Sequence, residues 1–407
     1  MIYHVFLHKL HHTPAMIEFF VRNVDEIGVA KNEQIFYVYI ENNKEKEEYD
    51  YLELSSEQLK FRKGLRLEYS LTAIPKKNDL FIIHSTLYTE MWRTLLRRPR
   101  LLKNTALMHW GLRIHTYNKL KKTKKNFFFR LKALQRRIFQ KPSIWKEIIK
   151  VPRFVIRKTR RMIESTIISL IIPRLGAVCT GTPGEFELLN KLYGPIKNYF
   201  HMVWNPNRST FMPIFRSNPH RMLKVMLGHS GYPSNNHLEL LQWLERFKGE
   251  QIEIICPLAY PPPSSYTIDV IKTGKQIFGD QFVPILDLIP RPQYNLFLKS
   301  IDIFIMNAKA SQGLYHVYSL LLDGKKVYLS TESHTYKMLT DWGIKVFDFR
   351  EIKWLSFHEF SSFSQKDAEK NYNIGMQHFS LQSTLECWKA LINEMKPGVH
   401  GRGMGEV

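Results

Sequence analysis

Cysteine is scarce in this chain, and the cysteines that are present form no recognisable pattern. Cys179, Cys256 and Cys387 have neither the spacing of a zinc site nor that of a disulfide framework. Two of them lie in apolar, strand-like runs, which predicts buried free thiols in a reducing compartment. The sequence also lacks an internal repeat, so a solenoid or repeat array is excluded.

Long apolar runs are missing as well. The longest candidate, Thr166–Ile172, is far shorter than the roughly 18 residues that a membrane-spanning helix needs. The first residues, Met1–Leu7, alternate like a strand and do not show a basic segment followed by an apolar one. We therefore expect neither a signal peptide nor a membrane-spanning helix.

Acidic residues are too few to balance the basic ones, and the formal net charge is +22. Segment 119–161 alone holds 17 Lys or Arg against one acid, Glu147, and interleaves them with residues such as Phe127, Trp145 and Ile148. Such a mixture is typical of an interfacial helix on anionic lipid. The alternatives are a solvated helical hairpin packed on the rest of the protein and a nucleic-acid patch.

Apolar residues are plentiful, and 407 residues suggest two α/β domains. In the first half, the predicted strands are Ile2–Leu7, Gln34–Ile40, Arg66–Thr72, Leu80–His84, Thr105–Trp110, Leu175–Thr180 and Tyr199–Trp204. In the second half, strands at Val225–Leu227, Ile252–Cys256, Phe282–Leu286, Ile301–Met306, Lys326–Leu329 and Ile344–Phe347 alternate with helices at Ser264–Gly279, Pro292–Ser300, Gly313–Leu322 and Tyr336–Asp341. This alternation predicts right-handed crossovers and parallel sheets.

The first candidate binding element is the loop 228–236, between a buried strand and an amphipathic helix. Gly228 and Gly231 allow a tight turn and a close approach to a ligand, and Ser234 or Asn235 is expected to cap the helix. Unpaired backbone N–H groups and the positive end of the helix dipole favour an anion, usually phosphate. The alternative is a tight turn that binds nothing.

A second polar loop, 307–313, follows another predicted strand. Because both loops leave the carboxyl ends of parallel strands, we expect them at the same edge of one sheet. Ligands of parallel α/β sheets bind at this edge.

Three motifs of the second half occur in a characteristic order. They are Gly228-x-Ser230-Gly231-x-x-Ser234-Asn235-x-His237, Pro257-x-x-Tyr260-Pro261-Pro262, and Gln312-Gly313 before an apolar helix. This series resembles the 4-acetamido-4,6-dideoxy-D-galactose transferases of glycosyltransferase family 56, whose best-known member acts in the synthesis of enterobacterial common antigen. The resemblance is densest over 222–330 and continues in the first half at His11-His12, His84 and His109-Trp110-Gly111.

The resemblance implies an α/β protein of the glycosyltransferase-B type, with two Rossmann-like domains facing a cleft. We expect an N-terminal acceptor domain over 1–205, with the basic helical insertion 119–161, and a linker over 206–221. A nucleotide-sugar domain is expected over 222–375, and a C-terminal helix and tail over 376–407 are expected to pack back on the first domain.

The activity implied by the resemblance is the transfer of a deoxy-amino sugar from a dTDP-sugar to a lipid-linked saccharide. The expected place is the cytoplasmic face of the bacterial inner membrane, where segment 119–161 contacts the anionic surface, with no nucleic acid as partner. One alternative is a transferase of the same fold with another donor or acceptor, in O-antigen, capsule or lipooligosaccharide synthesis. A more distant one is a basic nucleic-acid-binding protein.

Transfer from a nucleotide sugar requires a stabilised leaving diphosphate. The residues predicted to bind the donor are Gly228, Ser230, Gly231, Ser234, Asn235, Tyr260, Gln312, Gly313 and His316. Backbone amides and dipoles are expected to replace a metal ion, in agreement with the lack of an Asp-x-Asp motif, and no cofactor is expected. For Tyr260 a packing role in a proline-rich turn is the alternative, and for His316 a plain place on a helix surface.

Transfer also requires a base for the acceptor hydroxyl. The candidates are His12, then His109, and also His84, because the ordinary histidine pKa near 6.5 suits proton removal. The alternative is that they are satisfied core histidines. His11 and Arg113 are expected to bind the acceptor; where the family has an aspartate after its His-x-Trp-Gly motif, this chain has Arg113.

Overall fold

The computed structural model describes residues 1–7, 13–63, 79–84, 97–109, 166–206 and 221–396, together with residues 95 and 211. The chain divides into two compact units: unit 1 comprises Met1–Thr180, Glu185–His201 and Trp388–Val407, and unit 2 comprises Gly181–Gly184 and Met202–Cys387. This division differs from the expected boundaries in giving residues 181–184 to unit 2 and in dividing the last helix after Cys387. Segment 119–161, the predicted strand Arg66–Thr72 and most of the expected linker 206–221 lie outside the described residues.

Unit 1 contains a parallel sheet in the order β3-β2-β1-β4-β5-β6-β7. Its strands are β1 Ile2–Leu7, β2 Gln34–Ile40, β3 Leu59–Lys63, β4 Leu80–Ile83, β5 Thr105–His109, β6 Ala177–Thr180 and β7 Tyr199–His201. The described α-helices that precede β8 are Thr13–Arg22, Val24–Ile27 and Pro183–Tyr193, with a helical run over 166–171, and the described 3-10 helices there are Lys31–Glu33, Asn43–Leu52, Pro99–Asn104 and Ile172–Arg174.

Unit 2 contains a second parallel sheet in the order β10-β9-β8-β11-β12-β13. Its strands are β8 Leu223–Leu227, β9 Ile252–Pro257, β10 Phe282–Ile285, β11 Ile303–Met306, β12 Lys326–Leu329 and β13 Phe347–Asp348. The α-helices that follow β8 are His237–Leu244, Ser265–Phe278, Arg291–Ser300, Leu314–Leu322, His334–Asp341, Phe357–Ser361, Gln365–Phe379 and Leu381–Met395, and the 3-10 helices are Pro233–Asn235, Glu245–Phe247, Gly279–Gln281 and Phe349–Lys353.

The strands of unit 2 are apolar on both sides because helices cover both faces of the sheet. Successive residues of a strand point to opposite faces. Accordingly, Met226 packs in one buried cluster with Leu320 and Leu321, whereas Val225 and Leu227 pack in another with the helix His237–Leu244. These two clusters hold the strand ends, and therefore the loops that leave them, in fixed positions.

In both sheets the strand order reverses at the first strand of the unit. In unit 2, β8 lies between β9 and β11, and in unit 1, β1 lies between β2 and β4. The loops that leave the carboxyl ends of β8 and β11 are therefore neighbours at a topological switch point, which is where open α/β sheets bind ligands.

Most of the predicted strands are present among the described residues, and the differences from the prediction include the following. The strand expected at Ile344–Phe347 is instead the short β13, Phe347–Asp348. The edge strand β3 and the helix Gln365–Phe379 were not predicted. β3 escaped detection because three of its five residues are basic, and charged residues are common on edge strands.

The last helix, Leu381–Met395, belongs to unit 1 from Trp388 onward. Trp388 is buried there, with its ring centroid 4.8 Å from that of Phe20 and 5.5 Å from that of His84. None of the described helices combines the length and the hydropathy needed to cross a membrane.

Candidate functional site

The loop 228–236 begins with a glycine that no other residue could replace without strain. Gly228 has φ +64°, and its N–H continues the sheet by donating to the Ile305 carbonyl at 2.9 Å. A Cβ at this position would lie 2.7 Å from Nε2 of His237. The turn therefore needs glycine both for its backbone conformation and for the space beside it.

The side chain of Asn235 stabilises this loop through hydrogen bonds. Its buried Nδ2 group donates to the Ser230 carbonyl at 3.1 Å, to Ser230 Oγ at 3.2 Å and to the Tyr232 carbonyl at 3.2 Å. Its Oδ1 atom accepts from His229 Nδ1 at 3.0 Å and from the His229 backbone N–H at 3.4 Å. All of these bonds lie within the loop, so Asn235 shapes the site.

The predicted helix cap at Ser234 or Asn235 is wrong. Pro233–Asn235 forms a 3-10 turn, and the helix begins at His237, with Asn236 at the N-cap position in a left-handed conformation and no side-chain cap. The reason is that the Asn235 amide is used inside the loop, while the Ser234 hydroxyl points to another loop.

The expectation of free backbone donors along 228–231 also needs correction. The N–H groups of Gly228, His229 and Gly231 donate to Ile305, Asn235 and Tyr260, respectively. Among the described residues, only the Ser230 N–H of these four has no protein acceptor. An anion at this loop would therefore depend on Ser230, on side chains and on the neighbouring helix.

The loops 228–236 and 307–313 are joined by two hydrogen-bonded links. Ser234 Oγ and the side-chain amide of Gln312 lie 3.1–3.2 Å apart, and Asn236 Nδ2 donates to the Asn307 carbonyl at 2.8 Å. The Asn307 side chain in turn donates to Glu239 at 2.7 Å. The two loops thus form one polar edge, as the sequence predicted from their places at strand ends.

The helix Leu314–Leu322 starts at this edge without a side-chain cap. Gly313 is its N-cap residue, with φ +63°, and a Cβ there would lie 3.0 Å from the His229 ring. The absence of a side chain at 313 therefore lets His229 lie against the positive end of the helix dipole, an arrangement suited to an anion.

His316, in the first turn of this helix, is more than a plain surface residue. Its Nε2 atom lies 2.8 Å from the Tyr294 hydroxyl, and its ring centroid lies 5.7 Å from that of His229. Burial, with a smaller effect of Tyr315, raises the pKa of Tyr294. The Tyr294 phenol is therefore protonated at neutral pH and is hydrogen-bonded to His316.

Tyr260 braces the loop 228–236 from the neighbouring strand end. Its carbonyl accepts the Gly231 N–H at 2.8 Å, and its hydroxyl lies 3.3 Å from that of Tyr232. Burial, and then this hydrogen bond, raise the pKa of Tyr232 to about 12. Tyr260 is half-buried and therefore packs against the protein, whether or not it also contacts a ligand.

The candidate histidines of unit 1 that the structure describes are both buried. His84 Nε2 lies 2.9 Å from Nδ1 of His4, and its ring is stacked on Phe6 at 4.0 Å. Burial lowers the pKa of His4 to about 3 and that of His109 to about 4. His11, His12 and Arg113 lie outside the described residues.

Sequence reasoning missed four residues of this polar edge: His229, Asn236, Glu239 and Asn307. His229 and Asn236 lie among the quoted motif positions, but only their contacts give them a role. Among the described residues, no three His, Cys, Asp or Glu side chains come together in a way that could hold a metal ion.

Solved structures with the same architecture identify the fold of the chain. The chain matches a glycosyltransferase from Rickettsia africae (TM-score 0.60, 11% identity, 97% of this chain and 98% of that chain). It also matches sucrose-phosphate synthase from Thermosynechococcus elongatus (0.59, 10%, 97% and 99%) and a trehalose-6-phosphate structure from E. coli bound with UDP-2-fluoro glucose (0.58, 8%, 98% and 99%). These likenesses show the glycosyltransferase-B fold predicted for the chain.

A protein-family model matches part of the chain. Residues 174–349 match glycosyl transferase group 56, described as 4-alpha-L-fucosyltransferase. The match contains the loops 228–236 and 307–313, whose motifs carried the resemblance. Residues 174–349 are therefore similar to glycosyltransferase family 56, as the motifs predicted, and the prediction of a glycosyltransferase is confirmed.

Proposed function

We propose that this glycosyltransferase moves a deoxy-amino sugar, such as 4-acetamido-4,6-dideoxygalactose, from a dTDP-sugar to a lipid-linked saccharide during bacterial surface polysaccharide synthesis. The family description names a fucosyltransferase, and fucose and the proposed sugar are both 6-deoxyhexoses of the galactose series. The observation that carries the donor site is the polar edge formed by Ser234 and Gln312 beside the uncapped helix Leu314–Leu322.

In the proposed site the donor diphosphate lies against this edge. Gln312, Ser234 and the Ser230 N–H donate to its oxygens, and the helix dipole stabilises the charge that grows as it leaves. Gly228, Gly231, Gly313 and Asn235 give the loops their shape, while Tyr260 and His316 border the nucleotide sugar.

The proposed base is a histidine of unit 1, His12 before His109 and His84, and His11 and Arg113 are proposed to hold the acceptor. The base removes the acceptor hydroxyl proton, and the oxygen forms a bond to the anomeric carbon. The bond from that carbon to the diphosphate breaks, and its electron pair stays on the diphosphate. A pKa of about 4 makes His109 a neutral but weak base at pH 7, and the complete burial of His84 leaves it no exposed surface; both observations favour His12.

A second candidate is a UDP-hexose donor with a different acceptor. Solved structures of the same fold favour it, since one is bound with UDP-2-fluoro glucose and others are described as UDP-forming trehalose-phosphate synthases.

Thermal-shift measurements with dTDP-, UDP- and GDP-sugars test the donor class. We expect the melting temperature to rise most with a dTDP-6-deoxyhexose, because only a ligand that binds the native state stabilises it. Stabilisation by UDP-sugars alone would replace the first candidate with the second. If no nucleotide sugar stabilises the protein, the polar edge does not bind the donor.

A further inference from the structure

The side chains of His229, Asn235 and Ser230 form a closed hydrogen-bonded triangle. Nδ2 of Asn235 faces two carbonyl oxygens, those of Ser230 and Tyr232, which fixes the orientation of its amide. Oδ1 of Asn235 must then be the atom that faces His229 Nδ1, 3.0 Å away. Because Oδ1 only accepts, the proton of the neutral imidazole lies on Nδ1.

The same reasoning assigns the other side of the ring. Ser230 Oγ accepts from Asn235 Nδ2 at 3.2 Å and lies 3.3 Å from His229 Nε2. Nε2 carries a lone pair in this tautomer, so the Ser230 hydroxyl donates its proton to it. Before a ligand binds, the Nε2 lone pair of His229 and the hydroxyl proton of Ser230 are therefore engaged with each other, so neither group offers a hydrogen-bond donor to an anion.

From this geometry we propose that binding of the donor diphosphate is coupled to the uptake of one proton by His229 at Nε2. Protonation turns the lone pair into an N–H donor and frees the Ser230 hydroxyl to rotate toward the anion. The bound diphosphate in turn favours the imidazolium through its negative charge. This inference rests on the proposed function, because it assumes that a nucleotide sugar binds at this edge.

Among the described residues, two other histidines lie beside His229. His237, on the helix His237–Leu244, is buried, and burial followed by the charge of His229 lowers its pKa to about 4. Nε2 of His316, on the helix Leu314–Leu322, lies 2.8 Å from the Tyr294 hydroxyl, so an N–H group at this atom would point to Tyr294 and not to the diphosphate. Tyr294 lies behind His316 and remains a phenol.

The proton on His229 has a direct use in the transfer. When the anomeric carbon–oxygen bond breaks, the electron pair remains on a diphosphate oxygen, and the Nε2–H group beside it donates a hydrogen bond to the new charge. The proton stays on His229 until the nucleoside diphosphate leaves. His229 would thus contact the leaving group as a catalytic residue and also set the pH range of donor binding.

Calorimetric titration of the full chain with dTDP-glucose and with UDP-glucose tests the proposal. Both ends of the diphosphate are substituted in these probes, so they bind no proton near neutral pH. Titrations at pH 7.5 in buffers with different ionisation enthalpies give the number of protons taken up. We expect about half a proton or more per probe bound, and an affinity that falls by up to about tenfold per pH unit above the pKa of His229.

The variant His229→Gln keeps a neutral N–H donor and should bind the probe with no proton uptake and a flat pH dependence. His358→Gln, on an exposed helix outside the site, is the matched control and should behave like the parent chain. His316→Gln should still take up the proton on binding, whether or not its affinity for the probe changes. If His229→Gln does not fold, this variant provides the test in its place.

Three results would overturn the inference and leave the donor site in place. They are binding by the parent chain without proton uptake, proton uptake that persists in His229→Gln, and proton uptake that disappears in His316→Gln. Absence of binding by either probe overturns the donor site and the inference together. The two failures are therefore distinguishable.

Discussion

Asn235 and Ser234 are neighbours in the chain, but they should contribute differently to the free energy of unfolding. Asn235 is buried and satisfies five groups of the loop, whereas Ser234 is exposed and its hydroxyl bonds, among the described residues, to Gln312. Replacement of Asn235 by Ala leaves buried polar groups unpaired, and each of these costs about 1–3 kcal/mol. We expect Asn235→Ala to lower the free energy of unfolding by about 2 kcal/mol or more.

Ser234→Ala is the control and should change the free energy of unfolding by less than about 0.5 kcal/mol. Chemical denaturation of both variants, monitored by circular dichroism, measures the difference. Equal stability of the two variants would show that the loop does not depend on Asn235.

Gln312 should matter for the ligand more than for the fold. Its side chain bonds to Ser234 and, in the proposed site, to the diphosphate. Loss of one hydrogen bond to a charged group costs about 1.5–3 kcal/mol, so we expect Gln312→Ala to lower kcat/KM by about tenfold to a hundredfold. Gln365→Ala, on an exposed helix, is the control; a Gln312→Ala variant with the kcat/KM of this control would remove Gln312 from the donor site.

At the scale of one element, the turn after β8 depends on a glycine. An alanine at 228 must adopt φ +64° and places its Cβ 2.7 Å from His237. We expect Gly228→Ala to cost about 2 kcal/mol or more, because backbone strain and a close contact add up. Gly249→Ala is the control, since its Cβ would meet nothing within 4 Å. Thermal melts of the two variants provide the measurement, and similar melting temperatures would contradict the strained turn.

Another element depends on a buried lysine. Nζ of Lys326 donates to the carbonyls of Glu359, Phe360 and Ser362 at 2.7–3.0 Å, at the end of the helix Phe357–Ser361. Burial lowers the pKa of Lys326 from 10.5 to about 8. Between these pH values the unfolded chain binds the proton more strongly than the folded one, so this residue makes stability rise with pH there.

Lys326→Met should remove this rise and should also lower stability at pH 7, because the three carbonyls lose their donor. Denaturation at pH 7, 8, 9 and 10 checks both effects. Lys366→Met, on the exposed start of the helix Gln365–Phe379, serves for comparison. A parent chain whose stability does not rise between pH 8 and 10 more than that of Lys326→Met would contradict the assignment.

At the scale of the whole molecule, charge is the feature that remains to be explained. We propose that segment 119–161 holds the protein on the cytoplasmic face of the bacterial inner membrane, since each Lys or Arg near an anionic surface contributes about 1 kcal/mol. Sedimentation with vesicles should show binding to phosphatidylglycerol but not to phosphatidylcholine, weakened as salt rises from about 0.1 to 1 M. A preference for RNA over both vesicles would favour the nucleic-acid alternative.

The sequence predicted the sheets and the edge where the two polar loops meet, because buried strands and polar strand ends leave a clear pattern. It also predicted that Ser264 and Gly279 bound one helix, where Ser264 forms a capping box with Thr267. It failed at Ser234 and Asn235, because the same residue types can cap a helix or bond within a loop. Ser234 bonds to Gln312, a distant neighbour that no local pattern reveals, and the bonds of Asn235 depend on the course of its own loop.

The link between Ser234 and Gln312 joins residues 78 positions apart in the chain. Such a contact forms only after β8 and β11 have paired, and non-local pairing is slow to form. In the proposed site, a nascent or partly refolded chain therefore cannot bind the donor before the sheet of unit 2 is complete. During refolding, ligand binding should accordingly recover later than the circular dichroism signal of the helices. Ligand binding would then be one of the last properties that the folding chain acquires.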